Sequence, residues 1–259
     1  MLLVMCVDGL DPDIAATLNL HMEYETALTI PKELYHNGSP HTLHIWPSMF
    51  TGQINPYPNL GRHKNGGIEA ERSDFRINIK NWLIKHGIRY RRESIILRRE
   101  FNERFGKPSW KVYEPSVDKT VLDGLNSFIW NIPGVSEGFV FGGSGSFYKH
   151  QHELWSYLVR VLPFSNFNMA AVYTYILDQL AHRIREKEVY RIHEHIFIEA
   201  KTQSKKCDVL LISDHGCCPV KGRHTKLAYA GANFPFEAST VLDIANVILN
   251  KRRMPSRMS

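Results

Sequence analysis

Three short apolar runs in this chain each lead into an aspartate: residues 2–7 before Asp8, 169–177 before Asp178, and 209–213 before Asp214. Runs of this length and β-branched content read as strands buried on both faces, the kind found in a parallel sheet covered by helices. The stretches around them supply those helices. Asp11-Pro12-Asp13 has the form of a helix start, with an N-cap, a proline at the first helical position and an acidic first turn. Residues 185–201 read as a helix between the second and third runs, and 238–250 as another after the third. The alternation predicts an α/β fold with right-handed crossovers. Ligands in such folds bind outside the carboxyl ends of the strands. The three aspartates are therefore expected to meet at one edge of one sheet.

The 259 residues suit one sizeable domain carrying a smaller insertion, and 43% hydrophobic with 22% charged residues is ordinary for a chain that buries a core. Residues 60–165 differ from the rest. They mix charge, aromatics and turn residues, with helical patches at 77–86, 94–105 and 152–162 and a glycine-rich stretch at 141–146. We read about 60–165 as a cap over the sheet edge, and 251–259 as a basic, frayed tail. The glycine stretch lacks the Lys-Ser/Thr ending of a phosphate-binding loop and reads as a hinge or lid. A net charge of +6 favours anionic ligands such as phosphoesters, nucleic acid or an acidic membrane surface. The arginines between residues 85 and 107 alternate with glutamates, the pattern of a solvated helical face. The apolar runs are strand-length, so none is expected to span a bilayer. The start is too short and lacks the basic residues of a signal peptide. Cys6, Cys207, Cys217 and Cys218 show no disulfide spacing, so a cytoplasmic location is expected.

The residues after the runs carry the chemistry. Asp214-His215-Gly216 joins a carboxylate and an imidazole at a strand end, a pairing that suits zinc or manganese. Asp178 and His182 lie four residues apart and could grip one ion from a loop or an opening helical turn. His224 lies in a loop after Gly222. Between residues 40 and 52 a short helix is expected to open on a hydroxyl residue and stop at Gly52. The amides and dipole at such a start favour an anion, and a metal would help ionise the hydroxyl. On chemistry alone Ser39, Ser48 and Thr51 compete with Thr42 for the part of nucleophile.

The segment TLHIWPSMFTG resembles the nucleophile motif of the alkaline phosphatase superfamily, in which a threonine precedes a Thr-Gly pair by nine residues; Thr42 and Thr51-Gly52 keep that spacing. VMCVDGLDPD is similar to the first strand with its metal-binding aspartate, ILDQLAH to an Asp-x-x-Gly-His ligand motif with Ala181 in place of glycine, and LLISDHG to the second ligand motif. GRHTKLAYAG resembles the loop of the last ligand histidine, and VLDIANVIL the closing helix. These segments come in family order over somewhat more than a third of the chain. The pattern is nearest the type I phosphodiesterase/nucleotide pyrophosphatase branch. The resemblance implies a three-layer α/β/α sandwich with a mostly parallel central sheet. It implies two divalent ions, zinc first and manganese second, one held by Asp178, His182 and His224, the other by Asp8, Asp214 and His215. Thr42 would be both a ligand of the second ion and the nucleophile, forming a phosphothreonyl intermediate on a small anionic phosphoester.

The chain departs from that branch at Ile45, where an asparagine usually holds a phosphate oxygen, and at Leu43, where an aromatic residue meets the nucleobase. The His-Gly-Ile usual after the Thr-Gly pair survives only as His63 and Gly67-Ile68, and phosphate could instead meet backbone amides, Lys149 or Arg62. A sulfatase is disfavoured because the Cys/Ser-x-Pro-x-Arg motif is missing. The rival readings are a phosphomonoesterase or phosphomutase-like relative, or a metal-free nucleic-acid-binding relative. Retention of all six side-chain ligands argues against the last.

Overall fold

The computed structural model describes residues 1–55, 110–113, 115–123, 126–136, 139–142 and 147–253. In chain order the elements are β1 (Leu2–Val7), α1 (Pro12–Thr17), β2 (Tyr24–Thr29), a hairpin of β3 (Tyr35–His36) and β4 (Ser39–Pro40), and α2 (Thr42–Thr51). There follow β5 (Trp110–Tyr113), β6 (Ser127–Trp130), β7 (Phe139–Gly142), α3 (Phe147–Val161), β8 (Met169–Thr174), α4 (Ile176–His182) and α5 (Glu186–Gln203). The chain continues through β9 (Asp208–Ile212), β10 (Cys217–Cys218), β11 (Arg223–His224), β12 (Leu227–Ala232) and α6 (Ile244–Arg253).

Six strands form the central sheet in the order β2-β12-β9-β1-β8-β6. β9, β1, β8 and β6 run parallel, and β12 is antiparallel to both of its neighbours. Every residue of β1 and β8 is buried, the condition of inner strands covered on both faces. The period-2 alternation of β8 separates the two helix layers. Tyr173 meets Trp46 of α2 on one face, and Thr174 meets His152 of α3 on the other. α3 and α5 pack on β8 and β9, while α2 packs against α6. Among the described residues no helix is long and apolar enough to cross a membrane.

Local signals held where the backbone chemistry was explicit. Asp11 caps α1, its Oδ1 accepting from the Asp13 and Ile14 amides at 2.9 and 3.2 Å, and Gly52 ends α2 in the left-handed region at φ 69°. The apolar run 169–177 is divided. The strand stops at Thr174 and α4 begins at Ile176, which moves Asp178 from a strand end into the first turn of a helix. Burial continues across the junction, so hydrophobicity alone could not mark it. The helix expected over 238–250 opens as a 3₁₀ turn, Val241–Asp243, closed by a Thr240/Asp243 capping box, and α6 runs on to Arg253. Helical residues 251–253 were expected to be tail; Lys251 is anchored to Asp208 at 3.0 Å. Within the stretch read as a cap, β6 joins the central sheet and α3 its helix layer; the patches at 77–86 and 94–105, the arginine-rich stretch and the His63 to Ile68 segment lie outside the described residues.

One buried histidine ties α5 to the start of α1. His193 of α5 donates Nδ1–H to the Val189 carbonyl at 2.8 Å, and its Nε2 accepts the Asp11 amide at 3.2 Å. Full burial holds this imidazole neutral, with its pKa down from 6.5 to about 4. A depressed histidine pKa means the unfolded chain binds the extra proton first. Its contribution is therefore complete above pH 6.5 and declines as the pH falls towards 4. The shift corresponds to about 3 kcal/mol across that window. Urea unfolding of the metal-free protein at pH 7 and pH 4.5 should show the loss, and His193→Gln should flatten the slope. An unchanged slope in that variant would assign the loss to other groups.

Candidate metal centre

The parallel strands β1, β8 and β9 end at one edge, and the residues just beyond them meet there. The Asp8 amide bonds to the Thr174 carbonyl at 2.8 Å, and the Asp178 amide to the Asp8 carbonyl at 3.3 Å, which stitches the strand ends together. Gly9 makes this approach feasible. It sits at φ +83°, and a Cβ there would lie 2.9 Å from the Asp178 nitrogen. Gly216 is needed for a related reason, since a Cβ would collide with Asp11 Oδ2 and Thr225 Oγ1. The hairpin of β10 and β11 then turns the chain back, pairing Cys217 with His224 and delivering the third imidazole.

Two groupings of side chains result: Asp178, His182 and His224, and Asp8, Asp178 and His215. In each, the ligand atoms lie within 4.8 Å of one another. In the first, Asp178 Oδ1 is 3.0 Å from His182 Nε2 and 3.1 Å from His224 Nε2. In the second, His215 Nε2 is 3.1 Å from Asp8 Oδ1 and 3.4 Å from Asp214 Oδ2. Asp178 thus stands between the two groupings, and Asp214 lies against the second.

All three imidazoles are held the same way. His182 Nδ1 faces the Gly222 carbonyl at 2.8 Å, His224 Nδ1 the Pro40 carbonyl at 2.9 Å, and His215 Nδ1 the Gly216 carbonyl at 3.0 Å. A carbonyl only accepts, so each Nδ1 carries a proton and Nε2 is the atom each ring turns towards the carboxylates. His182 Nε2 and His224 Nε2 are 3.1 Å apart. Among the described residues, Asp8 Oδ1 and both Asp214 oxygens are buried without a hydrogen bond. Such convergence of imidazole nitrogens and carboxylate oxygens suits a cation between them, and a mixed imidazole–carboxylate set fits zinc or manganese.

In the bare protein, protons take up part of the place a cation would fill. Burial, then the Asp178 charge, raises the Asp8 carboxyl to about 7. Burial and the Asp8 charge push Asp214 well above the usual carboxylate range. Burial and the neighbouring His224 hold His215 well below the ordinary imidazole value. For His224, burial favours the neutral ring, but the hydrogen bond and charge of Asp178 outweigh it and raise the pKa to about 9. Asp178 stays well below the carboxylate range because His182 and His224 overcome its burial.

Thr42 is the first helical residue of α2, and the cap expected of a hydroxyl is supplied instead by His41, whose Nδ1 accepts the Leu43 amide at 3.3 Å. Thr42 Oγ1 reaches Asp8 Oδ2 at 3.4 Å and His215 Nε2 at 3.3 Å. Its competitors are engaged elsewhere. Ser48 Oγ bonds the His44 carbonyl at 2.7 Å and accepts the Asn55 amide at 2.8 Å, Thr51 Oγ1 bonds the Pro47 carbonyl at 2.9 Å, and Ser39 lies in the β3–β4 hairpin. Leu43 and Ile45 are buried. Lys149, on the exposed side of α3, lies 3.9 Å from Glu188. Cys217 is buried, and burial keeps its thiol protonated.

Among solved structures, the chain is similar to the alkaline phosphatase of the Antarctic bacterium TAB5, at 12% identity and a TM-score of 0.50 over 98% of each chain. A histidine-to-glutamate mutant of that enzyme with Mg bound in its M3 site matches at 10% identity, a TM-score of 0.50 and the same coverage. The fold is alkaline-phosphatase-like. No family model matches the chain, and no curated protein matches it. At these identities the likeness carries the architecture, a mostly parallel sheet with helices on both faces, and leaves the chemistry to the side chains.

Sequence reasoning missed Tyr173 of β8, which is fully buried and donates its hydroxyl to Asp8 Oδ2 at 2.7 Å. The available signal was a tyrosine inside an otherwise apolar buried strand, five residues before Asp178. A hydroxyl in such a place needs a polar partner.

Proposed function

We propose that the protein is a metal-dependent phosphoester hydrolase that holds two divalent cations, zinc foremost, and uses Thr42 as its nucleophile. The observation that carries this reading is the shared orientation of the three imidazoles, each with Nδ1 on a backbone carbonyl and Nε2 facing carboxylates. Asp178, His182 and His224 would hold one cation; Asp8, Asp214 and His215, with the Thr42 oxygen, would hold the other. When bound, the cations supply positive charge to the attacking and leaving oxygens. Thr42 Oγ1 gives up its proton to solvent and forms a bond to phosphorus, while the ester oxygen departs with the electrons of the broken bond and takes a proton from water. Water then cleaves the phosphothreonine and restores Thr42. The start of α2 adds a favourable dipole for the phosphoryl oxygens.

Within the superfamily we assign the chain to the phosphodiesterase/nucleotide pyrophosphatase branch on its motifs; a cap within about 60–165 would exclude β6 and α3, which belong to the central sheet and its helix layer. Burial of Leu43 and Ile45 leaves neither free to read a nucleobase. The same observation keeps a phosphomonoesterase as the second reading. Elemental analysis should find two zinc ions per chain. Bis-p-nitrophenyl phosphate should be cleaved about as readily as p-nitrophenyl nucleotide diesters. Faster cleavage of p-nitrophenyl phosphate would select the monoesterase. Absence of stoichiometric metal, together with no thermal shift on adding zinc or manganese, would sink the hydrolase reading.

A further inference from the structure

We propose that Tyr173 is a positioning residue that turns Asp8 into a one-oxygen metal ligand and couples that ligand to the helix bearing Thr42. The inference rests on the two-cation reading above and concerns a residue outside the ligand set. Tyr173 stands beside Cys6 in the β1–β8 register, two residues before Asp8, so its ring spans the distance up to the carboxylate. Its hydroxyl donates to Asp8 Oδ2 at 2.7 Å. That bond fixes the carboxylate plane and leaves Oδ1, buried without a hydrogen bond among the described residues, as the oxygen facing His215 Nε2 at 3.1 Å. The same ring meets Trp46 of α2 edge-on at 5.7 Å between centroids, and Trp46 in turn stacks on Phe50. One rigid side chain therefore touches Asp8 and braces the helix whose first residue is Thr42.

A donor to a ligating carboxylate sets which oxygen the metal meets, and its loss typically weakens binding tenfold to a hundredfold. Tyr173→Phe keeps the ring against Trp46 and removes only the hydroxyl, so the fold is retained and near-ultraviolet circular dichroism checks it. Zinc is titrated against a chromophoric chelator into wild type, Tyr173→Phe, Asp8→Asn and His182→Ala. The last two identify which binding step belongs to which grouping. In Tyr173→Phe, the step that Asp8→Asn abolishes should weaken about tenfold to a hundredfold. The step that His182→Ala abolishes should stay within about twofold of wild type, because the Tyr173 hydroxyl bonds to Asp8, which is not among that step's ligands. Wild-type affinity at both steps would overturn the inference and leave the proposed function standing, as would equal weakening of both, which marks a general structural role. A wild type that binds no zinc would overturn both.

Discussion

Thr42→Ala is expected to lose roughly a thousandfold or more in turnover while keeping its fold and most of its zinc. Its hydroxyl lies 3.4 Å from Asp8 Oδ2 and 3.3 Å from His215 Nε2, whereas Ser48 and Thr51 bond to carbonyls of their own helix. Removing a covalent nucleophile strands the groups arranged around the bond it forms, so the loss exceeds any single contact. Stability should scarcely change. The N-cap is His41, so no cap is lost, and alanine is the better helix former at the first helical position. Thr42→Ser should retain partial activity, since it offers the same oxygen on a less restricted side chain. Steady-state rates on an aryl phosphodiester, with zinc content measured on the same samples, provide the check. Near-wild-type turnover in Thr42→Ala, with Ser48→Ala dead, would show the nucleophile to be misassigned.

Asp178→Asn should have the largest effect on the metals. Its Oδ1 is 3.0 Å from His182 Nε2 and 3.1 Å from His224 Nε2, and the residue belongs to both groupings. An amide keeps the shape and removes the charge that faces two half-buried imidazoles and would help hold both cations. Losing a carboxylate that sits among the ligands should cost roughly a hundredfold or more in zinc affinity, beyond the tenfold to hundredfold typical of residues one step removed. Asp214→Asn, which touches only the second grouping, should weaken one binding step and spare the other. Chelator competition distinguishes the two variants. An Asp178→Asn protein that retains two tightly held zinc ions would refute the reading of Asp178 as the residue between the sites.

Much of this was legible in the sequence because it depends on short-range rules. The apolar runs at residues 2–7 and 209–213 became β1 and β9, with Asp8 and Asp214 just past their ends. Asp11 with Pro12, and Gly52, marked helix ends through bonds made within three or four residues. Thr42 was separated from its rivals only by the resemblance of residues 42–52 to a known nucleophile motif, and the fold brings it beside Asp8 and His215. Where two states satisfy the same pattern, the sequence was silent. The run 169–177 stays buried throughout, so its division into β8 and α4 depends on what packs around it, and that division put Asp178 on a helical turn between the groupings.

Long-range partners were decided by the tertiary structure alone. Nothing near His224 in sequence announces the Pro40 carbonyl 184 residues away, nor anything near Asp8 the Tyr173 hydroxyl 165 residues away. Each of these bonds exists because the fold brings distant segments together at one edge of the sheet, where polar groups removed from water must find partners. Sequence determined which donor side chains stand near the strand ends; packing determined which nitrogen and which oxygen of each faces inward, because that choice belongs to the carbonyls and hydroxyls that the fold sets behind them.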